Sequence, residues 1–168
     1  MKQFLKVIAI LLLIVISISL LFIGKGYSIY KEAINETPLI EKVAEIKSKD
    51  NYTKFSDLPP MYVNAVISVE DKRFYKHNGI DVIAIARAAI NDIKAMSFVE
   101  GGSTITQQLA KNMYFTQEKK IERKIAEVFM AWNIESHYSK EDIFELYVNS
   151  IYYGDGYYTV KEACKRIF

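Results

Sequence analysis

The stretch EGGSTITQQLAKN, residues 100–112, combines a loop signal with a helix signal. Paired glycines let backbone approach a neighbour or a ligand closely, and Ser103 or Thr104 can cap the helix that follows. Ile105, Leu109 and Met113 recur at helical spacing and mark the face turned inward. Gln107, Gln108, Lys111 and Asn112 then crowd one short helix with amide and ammonium groups, and helix N-termini attract anions, phosphates included. No lysine follows the second glycine as a phosphate-binding P-loop requires. By itself the pattern also fits a glycine loop leading into a capped surface helix.

The periodicity stays helical on both sides of this stretch. Upstream, DLPP at 57–60 punctuates the chain, and Val63, Val66, Ile67 and Glu70 share a face. Asp81 is placed to cap a helix with Val82, Ile83, Ala86, Ala89, Ile90 and Ile93 inward. Downstream, Ile121, Ile125, Val128, Phe129 and Trp132 mark another buried stripe. Ser139 with Asp142 forms a capping-box pair opening a helix through Ile143, Phe144 and Tyr147. GDG at 154–156 breaks the chain, and Thr159 with Glu162 opens a closing helix expected to bury Val160, Ala163, Cys164 and Ile167. No strand pattern reaches a convincing length, so the expected class is mainly α.

From Val7 to Ile23 the chain reads VIAILLLIVISISLLFI, without a charge. At about 1.5 Å per residue this sits at the short end of what spans a bilayer. GKGYSIYKEA lacks a small-x-small cleavage site, which argues against a removed signal peptide. Lys2 and Lys6 favour the N-terminus inside, with Tyr27 and Tyr30 as interfacial anchors on the far side. The expected division is 1–24 as cytoplasmic end and transmembrane anchor, 25–58 as stalk, and 59–168 as the soluble domain. The 168 residues suffice for one core, and a net charge of +2 gives no reason to invoke nucleic acid. One cysteine excludes an internal disulfide, and two histidines with it make a structural zinc site untenable.

Two charge clusters flank the opening stretch. VEDKRFYKHNG, residues 69–79, sets Glu70 and Asp71 among Lys72, Arg73, Lys76 and His77. RKIAE, residues 123–127, places Arg123 and Lys124 four and three residues before Glu127, where all three can face one way. Either cluster alone also reads as a solvated helix surface.

Together, the order and wording of these stretches resemble the peptidoglycan glycosyltransferase domain of monofunctional biosynthetic transglycosylases and class A penicillin-binding proteins. The family's E-D-x-x-F-x-x-H-x-G falls on Glu70, Asp71, Phe74, His77 and Gly79. Its G-G-S-T-x-T-Q-Q-x-x-K-N runs from Gly101 to Asn112, and its R-K-x-x-E falls on Arg123, Lys124 and Glu127. A fourth motif falls on Lys140, Ile143, Tyr147, Asn149 and Gly154. The resemblance covers about residues 55–168 and implies a lysozyme-like α-helical lobe whose further helices would follow Phe168. KEACKRIF, residues 161–168, is similar to the family's fifth motif but carries Lys165 and Arg166 where small packing residues are expected.

What the resemblance implies is an inverting hexosyltransferase that joins lipid II into β-1,4 glycan and releases undecaprenyl pyrophosphate during cell wall synthesis. Glu70 would be the general base, and Glu127 would assist the leaving pyrophosphate, directly or through a divalent cation such as Mg or Mn. Lys111, Arg123 and Lys124 would supply charge, and Thr104, Gln108 and Asn112 polar contacts. Asp71, Phe74 and His77 would shape the site around Glu70. The implied partners are lipid II, the growing glycan strand, the membrane and other cell wall synthesis proteins, with the domain on the extracytoplasmic side of a plasma membrane crossed once. Two other readings stay open from sequence: a lytic, lysozyme-like enzyme, and a non-catalytic membrane protein that keeps lipid II or glycan binding.

Overall fold

The computed structural model describes residues 1–97, 101–116, 118 and 120–167, the last two as backbone. Among them there is no strand, only a single bridge between Gly154 and Tyr157. Eight α-helices follow in order: α1 (Lys2–Glu36), α2 (Leu39–Lys47), α3 (Pro60–Glu70), α4 (Val82–Ala95), α5 (Ile105–Tyr114), α6 (Ile121–His137), α7 (Lys140–Val148) and α8 (Val160–Ile167).

α5 is the centre of the lobe. Thr104 accepts from the Gln107 backbone N–H while the Gln107 side chain accepts from Thr104 N–H, a complete capping box. Ile105, Leu109 and Ala110 are wholly buried, and Met113 nearly so. Around them pack Met130, Ala131 and Ile134 of α6 and Ile143, Phe144, Leu146 and Val148 of α7. Ser139 and Asp142 cap α7, and Thr159 and Glu162 cap α8, both as the sequence predicts.

α1 behaves as two halves of one helix. Its most apolar 18-residue window has a mean hydropathy of 3.2 and none of it is buried, so it is long and apolar enough to cross a membrane and is no core helix. Its C-terminal part lies on α6. Gly26 is buried there, and the Tyr27 and Tyr30 rings sit 5.2 and 6.0 Å from that of Phe129. These tyrosines, expected as interfacial anchors, pack against Phe129, with Tyr27 still 45% exposed. The stretch expected as a stalk, 25–58, is likewise folded onto the lobe, with Leu39, Val43, Ile46 and Leu58 in the core.

Three expected apolar faces differ. Asp81 does cap α4, accepting from Ile83 and Ala84 N–H. Yet Val82, Ile83, Ile90 and Ile93 are 72, 57, 52 and 77% exposed, and Ala86 and Ala89 are exposed as well. The side of α4 that meets the lobe is that of Ala88 and Ile85, whose Cα would stand 3.2 Å from a Cβ on Gly102. On α6 the fully buried stripe is Ala126, Met130, Ala131 and Ile134, while Ile121 and Trp132 are exposed and Ile125, Val128 and Phe129 half-buried. α6 is covered twice: small residues allow close approach to α5, and larger ones meet α1. On α8, Val160 is buried and Ala163 half-buried, but Cys164 is exposed, and Ile167 lies outside the described side chains.

Candidate active site

α3 ends at Glu70, whose side chain is exposed, and the next residue turns inward. Asp71 is buried; its Oδ2 accepts from the Ile105 N–H of α5 at 3.1 Å, and both oxygens lie 3.0 Å from His77 Nε2. Thr104 donates its hydroxyl proton to Gly79 O at 2.6 Å. Gly79 has φ +82°, a left-handed conformation, and a Cβ there would stand 3.2 Å from the Ala131 backbone. The 71–79 loop is therefore sewn to the N-terminus of α5, fixing Glu70 relative to the side chains α5 presents.

Chief among these is Gln108, whose Nε2 donates to Glu70 Oε2 at 2.8 Å; Tyr147 of α7 in turn donates to Gln108 Oε1 at 3.2 Å. Glu70 borders two cavities. One, of about 630 Å³, is lined by Gln108, Lys111, Asn112, Tyr147 and Tyr158 among others. The second, of about 400 Å³, lies against Arg73, Arg87 and the Gly101–Thr104 loop. A carboxylate at such a junction can take a proton from a group in one cavity while that group bonds to a ligand in the other.

The third cluster sits beside the glycine loop. Glu127 is 1% exposed and holds Arg123 through one oxygen and Lys124, at 2.8 Å, through the other. Lys124 also donates to Ser103 Oγ at 2.6 Å, and Arg123 to the Glu118 carbonyl. Burial, then the charges of Arg123 and Lys111, push the Lys124 ammonium down to about 8, although Glu127 beside it opposes that shift.

The site residues expected from the sequence thus fall into three sets. Glu70, Gln108, Lys111 and Asn112 share one cavity. Arg123, Lys124 and Glu127 form a separate ion-paired group, linked through Ser103 to the second cavity that Glu70 borders. Asp71, His77 and Thr104 lie beneath as the framework, and Phe74 is wholly in the core with Lys140 Nζ 4.5 Å from its ring. Sequence reasoning gave Ser103 only a possible capping role and gave Arg73 and Tyr147 no place in the site. The first two lie inside the quoted stretches; Tyr147 is signalled only by its place in the fourth motif.

Two places invite a cation on residue type. Single ligand atoms of Asp71, His77 and Asp81 lie within 4.8 Å of one another. Their carboxylates already accept from Ile105, Ile83 and Ala84 N–H and, at 3.0 Å, from Arg73 Nε. At Glu127, Arg123 and Lys124 occupy both oxygens. Protein donors thus engage the Asp71, Asp81 and Glu127 carboxylates, while His77 Nδ1 is buried without a hydrogen-bond partner.

Fold and site together define a helical lobe on a long apolar helix, built around one exposed carboxylate between polar clefts with a cationic group nearby. The family model described as transglycosylase matches residues 37–168, and the chain belongs to that family. It is 39% identical over 158 residues to a monofunctional glycosyltransferase of Staphylococcus haemolyticus, covering 94% of this chain and 56% of that protein. It is 47% identical over 117 residues to penicillin-binding protein 1A of Aquifex aeolicus, covering 70% of this chain and 16% of the relative. Against penicillin-binding protein 1F of Bacillus subtilis the identity is 48% over 113 residues, covering 67% and 16%. The chain spans about half the length of the monofunctional relatives it matches.

Proposed function

We propose that the protein is a peptidoglycan glycosyltransferase that polymerises lipid II into β-1,4 glycan and releases undecaprenyl pyrophosphate. The observation that carries this reading is Glu70 at the junction of two polar cavities, held by Gln108, with Lys111 in one of them. The acceptor sugar hydroxyl attacks the anomeric carbon of the donor as the bond to pyrophosphate breaks. The pyrophosphate leaves with the bonding electrons, and Glu70 takes the hydroxyl proton. An α-linked donor gives a β-linked product by one inversion. Negative charge developing on the leaving group meets Lys111 and, from the glycine-loop side, Lys124 and Arg123. The steps above use side chains alone, with Arg123 and Lys124 each engaging one Glu127 oxygen.

α1 anchors the lobe where a lipid-borne substrate resides, with Lys2 and Lys6 on the cytoplasmic side and the lobe outside. Other cell wall synthesis proteins are the partners this reading implies. Purified protein incubated with lipid II in detergent or vesicles is expected to yield polymer that a muramidase digests. Glu70→Gln keeps the shape of the side chain and lowers the rate by about 10²–10⁴. Cleavage of preformed glycan, no product at all, or undiminished polymerisation by the variant would each overturn the assignment.

A further inference from the structure

We propose that Tyr147 is a positioning residue for Glu70, acting through the Gln108 side chain. The inference deepens the glycosyl-transfer reading above and rests on it for its consequence, not for its geometry. A carboxylate only accepts hydrogen bonds, so the end of Gln108 facing Glu70 at 2.8 Å must be the NH₂ end. That leaves Oε1 toward Tyr147 at 3.2 Å, where the phenol must donate. Turning the amide over would set oxygen against carboxylate at one end and waste the phenol proton at the other. The carboxylate thus selects the amide orientation, and the tyrosine hydroxyl holds the amide in it by donating to the oxygen that faces away from Glu70.

The donor is built to stay a donor. Tyr147 is buried on α7, 3% exposed, with its ring 6.2 Å from that of Phe144. Burial first, then the Glu70 charge and Tyr62, holds the phenol well above its ordinary titration range, so it keeps its proton wherever the enzyme works. Glu70 itself is exposed on a side chain with three rotatable bonds. Fixing its Oε2 with an oriented donor leaves Oε1 turned to the cavity as the proton acceptor.

The test is a double-mutant cycle on the full chain: wild type, Tyr147→Phe, Gln108→Ala and the double variant, with kcat and KM measured for lipid II. Tyr147→Phe keeps the buried ring and is expected to lower kcat on the order of 10-fold through misplacement of the base, with KM changed less than about twofold. In the Gln108→Ala background the same substitution is expected to change nothing further. A second readout needs no turnover. The side-chain amide protons of Gln108, assigned by their disappearance in Gln108→Ala, should be well separated and slow to exchange in wild type. They should collapse toward those of a solvated glutamine in Tyr147→Phe. Equal losses in both backgrounds, or amide signals unmoved by Tyr147→Phe, would overturn the positioning role. Absence of polymer from wild type would instead overturn the glycosyltransferase reading, and the amide signals would still decide this one.

Discussion

Lys124 joins three structural facts: the Glu127 carboxylate, the Ser103 hydroxyl of the glycine loop, and two cationic neighbours. Its ammonium is pushed from an ordinary 10.5 down to about 8, by burial first and by Arg123 and Lys111 after. Below about 8 the side chain carries its proton in both folded and unfolded chains. Between about 8 and 10.5 the unfolded chain holds a proton that the folded one has lost. On this group's account, stability therefore rises with pH through that window, while the charge available to an anion disappears. Affinity for a short prenyl pyrophosphate, followed by calorimetry from pH 7 to 9, is expected to fall at least about threefold in wild type as the ammonium titrates. Lys124→Arg, whose guanidinium stays charged, should flatten that decline. The same slope in both proteins would place the titrating group elsewhere.

Between elements, the contact of α1 with α6 is the one most exposed to a single substitution. A Cβ on Gly26 would lie 2.5 Å from Ile125 Cγ2, 2.6 Å from its Cβ and 2.9 Å from Glu122 O, so α6 itself would have to shift. Overpacking of this kind costs about 1–3 kcal/mol and exceeds the roughly 1 kcal/mol an alanine gains over glycine in a helix. Gly26→Ala is expected to lower the melting temperature in detergent by a few degrees. Gly24→Ala, with nothing within 4 Å of the new methyl, should leave it unchanged or raised. A melt unaffected at Gly26 would mean that the two helices separate freely. This contact also shows where sequence stops informing. α5 was legible because its signals are local: a cap, its Gln107 partner and a stripe of Ile105, Leu109 and Met113. For α4 and α6 the period gave the helix but not what covers each side. A stripe such as Val82, Ile83, Ile90 and Ile93 looks the same whether it faces a core or something outside the chain. The candidate site divides the same way: Glu70 and the α5 polar residues stand in recognisable wording. The hydroxyl of Tyr147 reaches Gln108 across 39 residues, which no local pattern encodes.

For the whole molecule, α6 relates the membrane helix to the exposed face of α4. α1 leaves its apolar run at Ile23 and, three residues on, packs Gly26 against Glu122 and Ile125 in the first turns of α6. α4 meets the same half of α6, where Ile85, Ala88 and Ala89 border a cavity with Lys124 and Val128. If α1 crosses a membrane, as proposed above, the outward apolar residues of α4 lie near the end of its apolar run. An apolar face of this extent, unburied by its own lobe, calls for an apolar environment. A lipid surface supplies one beside the polar clefts that border Glu70. The far end of α6, which leads into α7, lies 12–15 residues beyond Ile125 and Glu122, about 20 Å along the axis. With Cys164→Ser as background, a fluorophore on Ile93→Cys is expected to be quenched by brominated lipid in nanodiscs, and one on Glu141→Cys is not. Quenching at neither position would show that α4 stands clear of the bilayer, and quenching at both would mean that the lobe lies on its side.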